Sequence, residues 1–286
     1  MTIITEFAPA KVNLTLEVLG RRPDGFHEIA SLVAFAGAGD QVMLDTSRPL
    51  AVTTSGRFGG SIAGQNLIEV TLQRLREAEP RLTLGAVHLE KNLPVAAGIG
   101  GGSADAAAVL RAVRTANPDL AAIIDWSRIA ASLGADVPVC FANRAAWMTG
   151  IGELVQPVAG LPPLAAVLVN PLLPMPSDKT VQVFRNLNAG PLESVRASPP
   201  PAAFATTAAL LDFISSRGNA LDASARRVAP VIDDVMGAIS TAPGCLYAAV
   251  SGGGPTCFGI FTDNTVAAAA ITQDHPTWWI VPVVLR

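Results

Sequence analysis

The sequence predicts an α+β fold in two units, and three observations carry that prediction. The chain has 286 residues, a length suited to two domains of ordinary size. Strand-like and helix-like segments alternate along it. The pattern changes near residue 155, so the units are expected over residues 1–155 and 156–286.

In the first unit, "IITEFAPAKVNLTLEVLGRR" alternates apolar and polar residues and predicts two strand segments broken around Pro9. "DQVMLDT" and "AVHLEKNLP" read as further strands. "NLIEVTLQRLREAE" has helical spacing through Leu67, Val70, Leu72 and Leu75 and stops before Pro80. "SADAAAVLRAVRTA" reads as a helix ending before Pro118, and "DWSRIAASLG" as a shorter one with Gly134 as its stop.

In the second unit, "LAAVLVNP" is a short buried-type strand, followed by an exposed loop rich in Pro, Ala and Ser at about residues 190–206. Helical "AALLDFISSRG" and "APVIDDVMGAIS" follow. Then come paired strands "CLYAAVSG" and "TCFGIF", a helix in "NTVAAAAITQ" and a last strand, "WWIVPVVLR".

Composition excludes several classes of function. Half the residues are apolar, yet Pro and Gly interrupt every run before the 18 residues that a membrane span needs. The opening "MTIITEFAPAK" carries Glu6 where an export signal would carry basic residues, so a cytoplasmic protein is expected. Three widely spaced cysteines without a C-x-x-C argue against disulfides and zinc. A net charge of −3 and no Lys/Arg block make nucleic acid an improbable partner.

The stretch "PVAAGIGGGSADAAA" places glycines at 98, 100, 101 and 102 directly before a helix. It is not a P-loop, because no Lys follows the glycines. It is not a dinucleotide fingerprint either, since Ser103 stands where the last Gly is required. The physics of both motifs still applies: a helix N-terminus offers free N–H groups to an anion, and glycine lets a phosphate approach without meeting a Cβ. Ser103 at the helix start could cap the helix, touch a phosphate or help hold Mg²⁺. An ordinary turn with Ser103 as N-cap is an equally weighted alternative.

Four other segments stand out. "APAKVNL" carries Lys11 within a strand-like run, which alone reads as a solvated side chain. "RRPDGFHE" packs Phe26 and His27 beside an Asp-Gly hairpin signal. A ring beside an imidazole there could also serve as a platform for a planar base. "SLGADVPVC" sets Asp136 after a helix stop, as a turn or cap carboxylate would sit, and "VSGGGPTCF" reads as a tight hairpin with a bulge. His88 and His275 lack such neighbours and form no metal site.

Taken together and in order, "APAKVNL", "RRPDGFHE", "KNLPVAAGIGGGSADAAA", "LGADVPVC" and "VSGGGPTCF" resemble the GHMP kinase superfamily. Within it they look like the branch that acts on a cytidine diphosphate derivative of methylerythritol. The resemblance implies a ribosomal-protein-S5-like N-terminal domain, a ferredoxin-like C-terminal domain and an active site in the cleft between them. It also implies transfer of phosphate from ATP, with Mg²⁺, to a 2-hydroxyl in the non-mevalonate isoprenoid pathway. Lys11 and Asp136 match the catalytic pair. Asn66, Lys91, Pro94, Ala97 and the run Gly98, Ile99, Gly100, Gly101, Gly102, Ser103 match ATP-binding positions.

For the substrate, the resemblance implies Asn13 beside the acceptor hydroxyl, Phe26 and His27 at the cytosine, and Asp136, Thr180, Phe184, Gly252 and Gly253 around the ligand. Phe26 stands where Tyr is common and Gly253 where Ser is common. The expected assembly is a monomer or weak homodimer. A kinase acting on mevalonate, homoserine or a sugar, or a catalytically silent nucleotide-binding protein, would share much of this pattern.

Overall fold

A computed structural model describes residues 3–61, 66–176, 178–193 and 197–286. The chain forms two compact units that are not consecutive in sequence. The first holds Met1–Ala10, Ala38–Val95 and Gly100–Asn143; the second holds Lys11–Gly37, Ala96–Ile99 and Arg144–Arg286. Sequence reading places a single boundary near residue 155, because local pattern carries no record that the strands Ile3–Asn13 and His27–Asp45 each contribute residues to both units.

In chain order the first elements are β1 (Ile3–Asn13), β2 (Glu17–Arg21), β3 (His27–Asp45), β4 (Ala51–Ser55) and α1 (Leu67–Ala78). They are followed by β5 (Ala86–Glu90), α2 (Gly101–Ala116), α3 (Trp126–Leu133), α4 (Val137–Ala142), β6 (Ala146–Gly150) and β7 (Leu154–Pro157). The remainder is β8 (Leu164–Asn170), α5 (Lys179–Leu187), α6 (Thr207–Arg217), α7 (Asp222–Val228), α8 (Ile232–Thr241), β9 (Cys245–Val250), β10 (Cys257–Phe261), α9 (Asn264–Asp274) and β11 (Trp279–Leu285). Of the proline-rich segment expected at 190–206, residues 194–196 lie outside the described residues.

Within the first unit, the C-terminal part of β3 pairs antiparallel with β5, Val42 facing Leu89, and β5 pairs parallel with β4. Helices α1, α2, α3 and α4 pack together. Asn66 caps α1, its side chain accepting the Ile68 N–H at 3.0 Å, and Ile68, Leu72 and Leu75 form the buried stripe. Full burial of one such Leu contributes about 1.5–3 kcal/mol. Helix α2 buries Ala104, Ala106, Ala107 and Ala108, side chains small enough for neighbouring elements to approach closely. Asp125 caps α3 through the Arg128 N–H, and Gly134 ends it as expected.

Within the second unit, the N-terminal part of β3 pairs with β2 and with β6, and β6 pairs with β7. Further strands follow in the order β11, β8, β10, β9, all antiparallel, with Leu285 of β11 facing Ala36 of β3. Val167, Val169, Leu221, Ile232, Val235, Ile239 and Phe261 make up much of the core beneath α7, α8 and α9.

Three local expectations change. The strand does not break at Pro9; β1 runs through it and stops only after Asn13. Proline's fixed φ suits an extended chain, so only its missing N–H has to be tolerated. The Asp24-Gly25 turn is a five-residue loop, 22–26, closed by Arg21 facing His27, rather than a two-residue hairpin. The 251–256 loop contains no bulge; the irregularity lies at Ile260/Phe261.

Candidate active site

In the second unit, Asn13 is a hub. Its Oδ1 accepts from Lys11 Nζ at 3.0 Å, its Nδ2 donates to Ser31 Oγ at 2.7 Å, and its N–H donates to Ser251 Oγ at 3.3 Å. All four residues are buried. Lys11 is therefore not the solvated strand lysine that its local sequence describes. Ser31 in turn donates to the Thr15 carbonyl at 2.5 Å, which fixes its hydroxyl as the acceptor of the Asn13 amide.

The lead-in to the glycine loop is held by its carbonyls. Those of Ala96, Ala97, Gly98 and Ile99 accept, in order, from Lys179 Nζ at 3.0 Å, Thr256 N–H at 3.1 Å, Ser251 Oγ at 3.2 Å and Lys11 N–H at 2.9 Å. Ala96, Gly98 and Gly100 have φ of +55°, +80° and +64°. Positive-φ residues alternating with others are the backbone pattern from which anion-binding nests are built. Gly98 is required as well by space: a Cβ there would lie 2.5 Å from the Gly254 carbonyl oxygen.

Helix α2, in the first unit, begins at Gly101, two residues earlier than the sequence indicates. Its N-cap is Gly100 in the left-handed conformation, with no side-chain cap bond, so Ser103 is a first-turn residue and not the cap. The N–H groups of Gly101, Gly102 and Ser103 have no intrahelical acceptor, as in any first turn. Ser103 is half-buried there.

Lys91 has work other than binding nucleotide. Its Nζ lies 2.6 Å from Asp40 and 2.6 Å from Asp105, with all three side chains buried. Its N–H and carbonyl are also engaged, by Ser55 and Phe58. Asp40 Oδ1 takes the N–H groups of Asn92 and Leu93 at 2.5 and 2.8 Å. The cluster pins residues 91–93 and the second turn of α2. Burial pushes the Asp105 carboxyl up to about 8, against the pull of Lys91 and with the repulsion of Asp40, while the two carboxylates raise the Lys91 ammonium. Asp105 Oδ1 has no hydrogen-bond partner among the described residues. Pro94 and Ala97 are buried, and Ile99 is a fully buried core side chain. The Asn66 side-chain oxygen is occupied by its capping bond.

Asp136 occupies the N-cap position of α4 but makes no side-chain cap bond to that helix. It is half-buried. The simple capping role is therefore not the one its carboxylate performs.

Among the ligand-facing candidates of the second unit, His27 stacks on Phe184, ring centroids 4.9 Å apart. Burial, and secondarily the Arg21 charge, lowers the His27 pKa, which favours the neutral imidazole. Phe26 is 58% exposed, a ring open to solvent, and Thr180 is exposed on α5. Gly252 approaches closely: a Cβ there would lie 3.3 Å from Asn13 Oδ1. Gly253 packs on Val183. Sequence reading missed Ser251 and Lys179. A serine beside a Gly-Gly-Gly run and a lysine in a polar helix start carry no local mark of burial.

These features define a class: an α+β chain in which a glycine-rich, positive-φ segment runs into the N-terminus of a helix. The model for the GHMP kinases N terminal domain matches residues 66–144, and that for GHMP kinases C terminal matches residues 203–273. Two curated relatives, from Dinoroseobacter shibae and Methylobacterium radiotolerans, are each 46% identical to this chain; both are named 4-diphosphocytidyl-2-C-methyl-D-erythritol kinase. The first match covers 99% of this chain and 95% of the relative, the second 100% of both. A crystal structure of 4-(cytidine 5'-diphospho)-2C-methyl-D-erythritol kinase aligns with a TM-score of 0.75 at 31% identity, over 98% of this chain and 99% of that one. A homoserine kinase from Cytophaga hutchinsonii shares the fold, with a TM-score of 0.62 at 17% identity over 100% of this chain and 95% of its own. The chain belongs to the 4-diphosphocytidyl-2-C-methyl-D-erythritol kinase family of GHMP kinases.

Proposed function

We propose that this protein transfers the γ-phosphoryl group of ATP to the 2-hydroxyl of 4-diphosphocytidyl-2-C-methyl-D-erythritol, giving the 2-phosphate and ADP for isoprenoid precursor synthesis. The observation that carries the reading is the 96–103 segment. Its carbonyls at 96–99 are engaged, and the first-turn N–H groups of α2 point out of the helix end, where phosphate oxygens are favoured.

Phosphoryl transfer asks the protein chiefly for positioning and charge stabilisation, because the transition state is loose. In this reading Lys11, oriented by Asn13, steadies the transferring phosphate, and Asn13 itself is held by Ser31 and Ser251. Asp136 hydrogen-bonds the acceptor hydroxyl and receives its proton late, as the new O–P bond forms. His27, Phe184 and Phe26 take the cytosine, and Thr180, Gly252 and Gly253 line the rest of the ligand.

Mg²⁺ neutralises phosphate charge when bound. It is held mostly by phosphates and water in such enzymes and needs few protein ligands. The donor set fits a metal carried in by the nucleotide: among the described residues no cluster of three or more His, Cys, Asp or Glu side chains is arranged for a metal, and the Ser103 hydroxyl in the first turn of α2 is the candidate ligand. No helix among the described residues is long and apolar enough to cross a membrane. We propose separately, on the family resemblance, that the enzyme works in the cytoplasm as a monomer or weak homodimer.

The test is ADP release across a panel of acceptors: the cytidine diphosphate substrate, mevalonate, homoserine and galactose. Turnover is expected only with the first, with phosphorus resonances assigning the new ester to the 2-position. Turnover with another acceptor, or none with the cytidine ligand, would sink the proposal.

A further inference from the structure

Lys179 opens α5 and is 5% exposed, yet no carboxylate pairs with it among the described residues. Its ammonium instead donates to two backbone carbonyls, those of Ala96 and Gly254. Burial lowers its pKa to about 8, a measure of how poorly this position replaces water for a cation. A lysine kept in such a place without a counter-ion holds the backbone it touches.

What it touches is specific. Ala96 is a non-glycine residue at φ +55°, the first of the alternating positive-φ positions that end at Gly100. Positive φ is disfavoured for alanine and persists where surrounding contacts enforce it. Gly254 lies in the 251–256 loop, whose Ser251 and Thr256 grip the Gly98 and Ala97 carbonyls. One ammonium therefore bonds both strands of this loop-on-loop contact, and it projects from the helix that also carries Thr180 and Phe184.

We propose that Lys179 is a positioning residue for the phosphate loop: by bonding the Ala96 and Gly254 carbonyls it holds the 96–100 turn in the conformation that presents N–H groups to nucleotide phosphate. This rests on the reading of that loop as the ATP site. Lys179 does not touch the reacting atoms, and its effect passes through the carbonyls it fixes.

The test compares Lys179→Met, which keeps the length of the side chain and removes the donors, with Lys179→Gln, which retains an N–H donor without charge. Binding of a non-hydrolysable ATP analogue and of a cytidine diphosphate ligand is measured separately by calorimetry, alongside steady-state kinetics and melting temperature. The Met variant is expected to weaken the analogue and raise the ATP KM by about tenfold or more. Its cytidine-ligand affinity and kcat should stay within about threefold, the pattern of lost uniform binding. The Gln variant should recover about half of that loss on a logarithmic scale, leaving a selective ATP weakening of about threefold. Unchanged analogue affinity in the Met variant, equal weakening of both ligands, or no recovery by Gln would overturn the proposal. If the Met variant does not fold, the Gln variant decides alone: selective ATP weakening supports the role, and no change or equal weakening removes it. Failure of the kinase reading is seen elsewhere, as absent acceptor-dependent turnover in the wild-type protein.

Discussion

The His27 imidazole lies against the Phe184 ring, centroids 4.9 Å apart and planes 27° from parallel, although the two residues are 157 positions apart. Rings in mutual contact leave no slot for a base, so a cytosine either stacks on an outer face or parts the pair. Either way Phe184 contributes stacking worth about 1–3 kcal/mol. Phe184→Ala is expected to raise the KM for the cytidine ligand by about 5- to 150-fold. Turnover at saturation should change little, because stacking is present in ground and transition states alike. Kinetics with the acceptor varied at saturating ATP checks this; a selective fall in kcat would count against the placement.

Asp136→Asn keeps a hydrogen-bonding side chain and removes the proton acceptor. Turnover is expected to fall at least about a hundredfold, the lower end for acid-base groups, with acceptor affinity nearly kept. Single-turnover kinetics would separate the two effects, and near-normal chemistry would eliminate Asp136 as the acceptor.

The glycines of the loop should not respond alike. Gly98→Ala forces a Cβ to 2.5 Å from the Gly254 carbonyl oxygen at φ +80°, whereas a Cβ at Gly102 meets nothing within 4 Å. The first substitution is expected to lower both melting temperature and ATP affinity, the latter about tenfold or more. Gly102→Ala should leave stability unchanged or raise it by up to about 1 kcal/mol, since alanine favours the helix. Any loss of ATP affinity there would report phosphate approach alone. Melting curves with and without an ATP analogue distinguish the cases.

The Lys91 cluster predicts a pH dependence of stability. Asp105 holds its proton to about pH 8 in the folded chain, where an unfolded aspartate releases it near 4. The folded state thus binds the extra proton in that window, so this group's contribution to stability is full below about pH 4 and declines as pH rises toward 8. Asp105→Asn should flatten the fall in melting temperature between pH 5 and 8. Lys91→Met leaves the buried Asp40 carboxylate without its cation and is expected to cost about 3–5 kcal/mol. Denaturant titrations across that range measure both, and a wild-type curve as flat as that of Asp105→Asn would contradict the assignment.

Much of the local structure was legible because its causes are local. The Asn66 cap, the Leu72 and Leu75 stripe, the Asp125 cap with its Gly134 stop, and the glycines before α2 act within a few residues of themselves. The ordered set of motifs, from Lys11 to the Gly252-Gly253 loop, was enough to point to the family. Tertiary structure decided what side chains do when their partners are distant. It buried Lys11 on Asn13, turned Lys91 to Asp40 and Asp105, and gave Ser251 to Asn13 and Gly98 across 238 and 153 positions. It also set Lys179 on carbonyls 83 and 75 residues away. A helix or strand period records which face of an element is apolar. It carries no record of which distant carbonyl or carboxylate will meet a lysine, because chain folding alone brings those groups together.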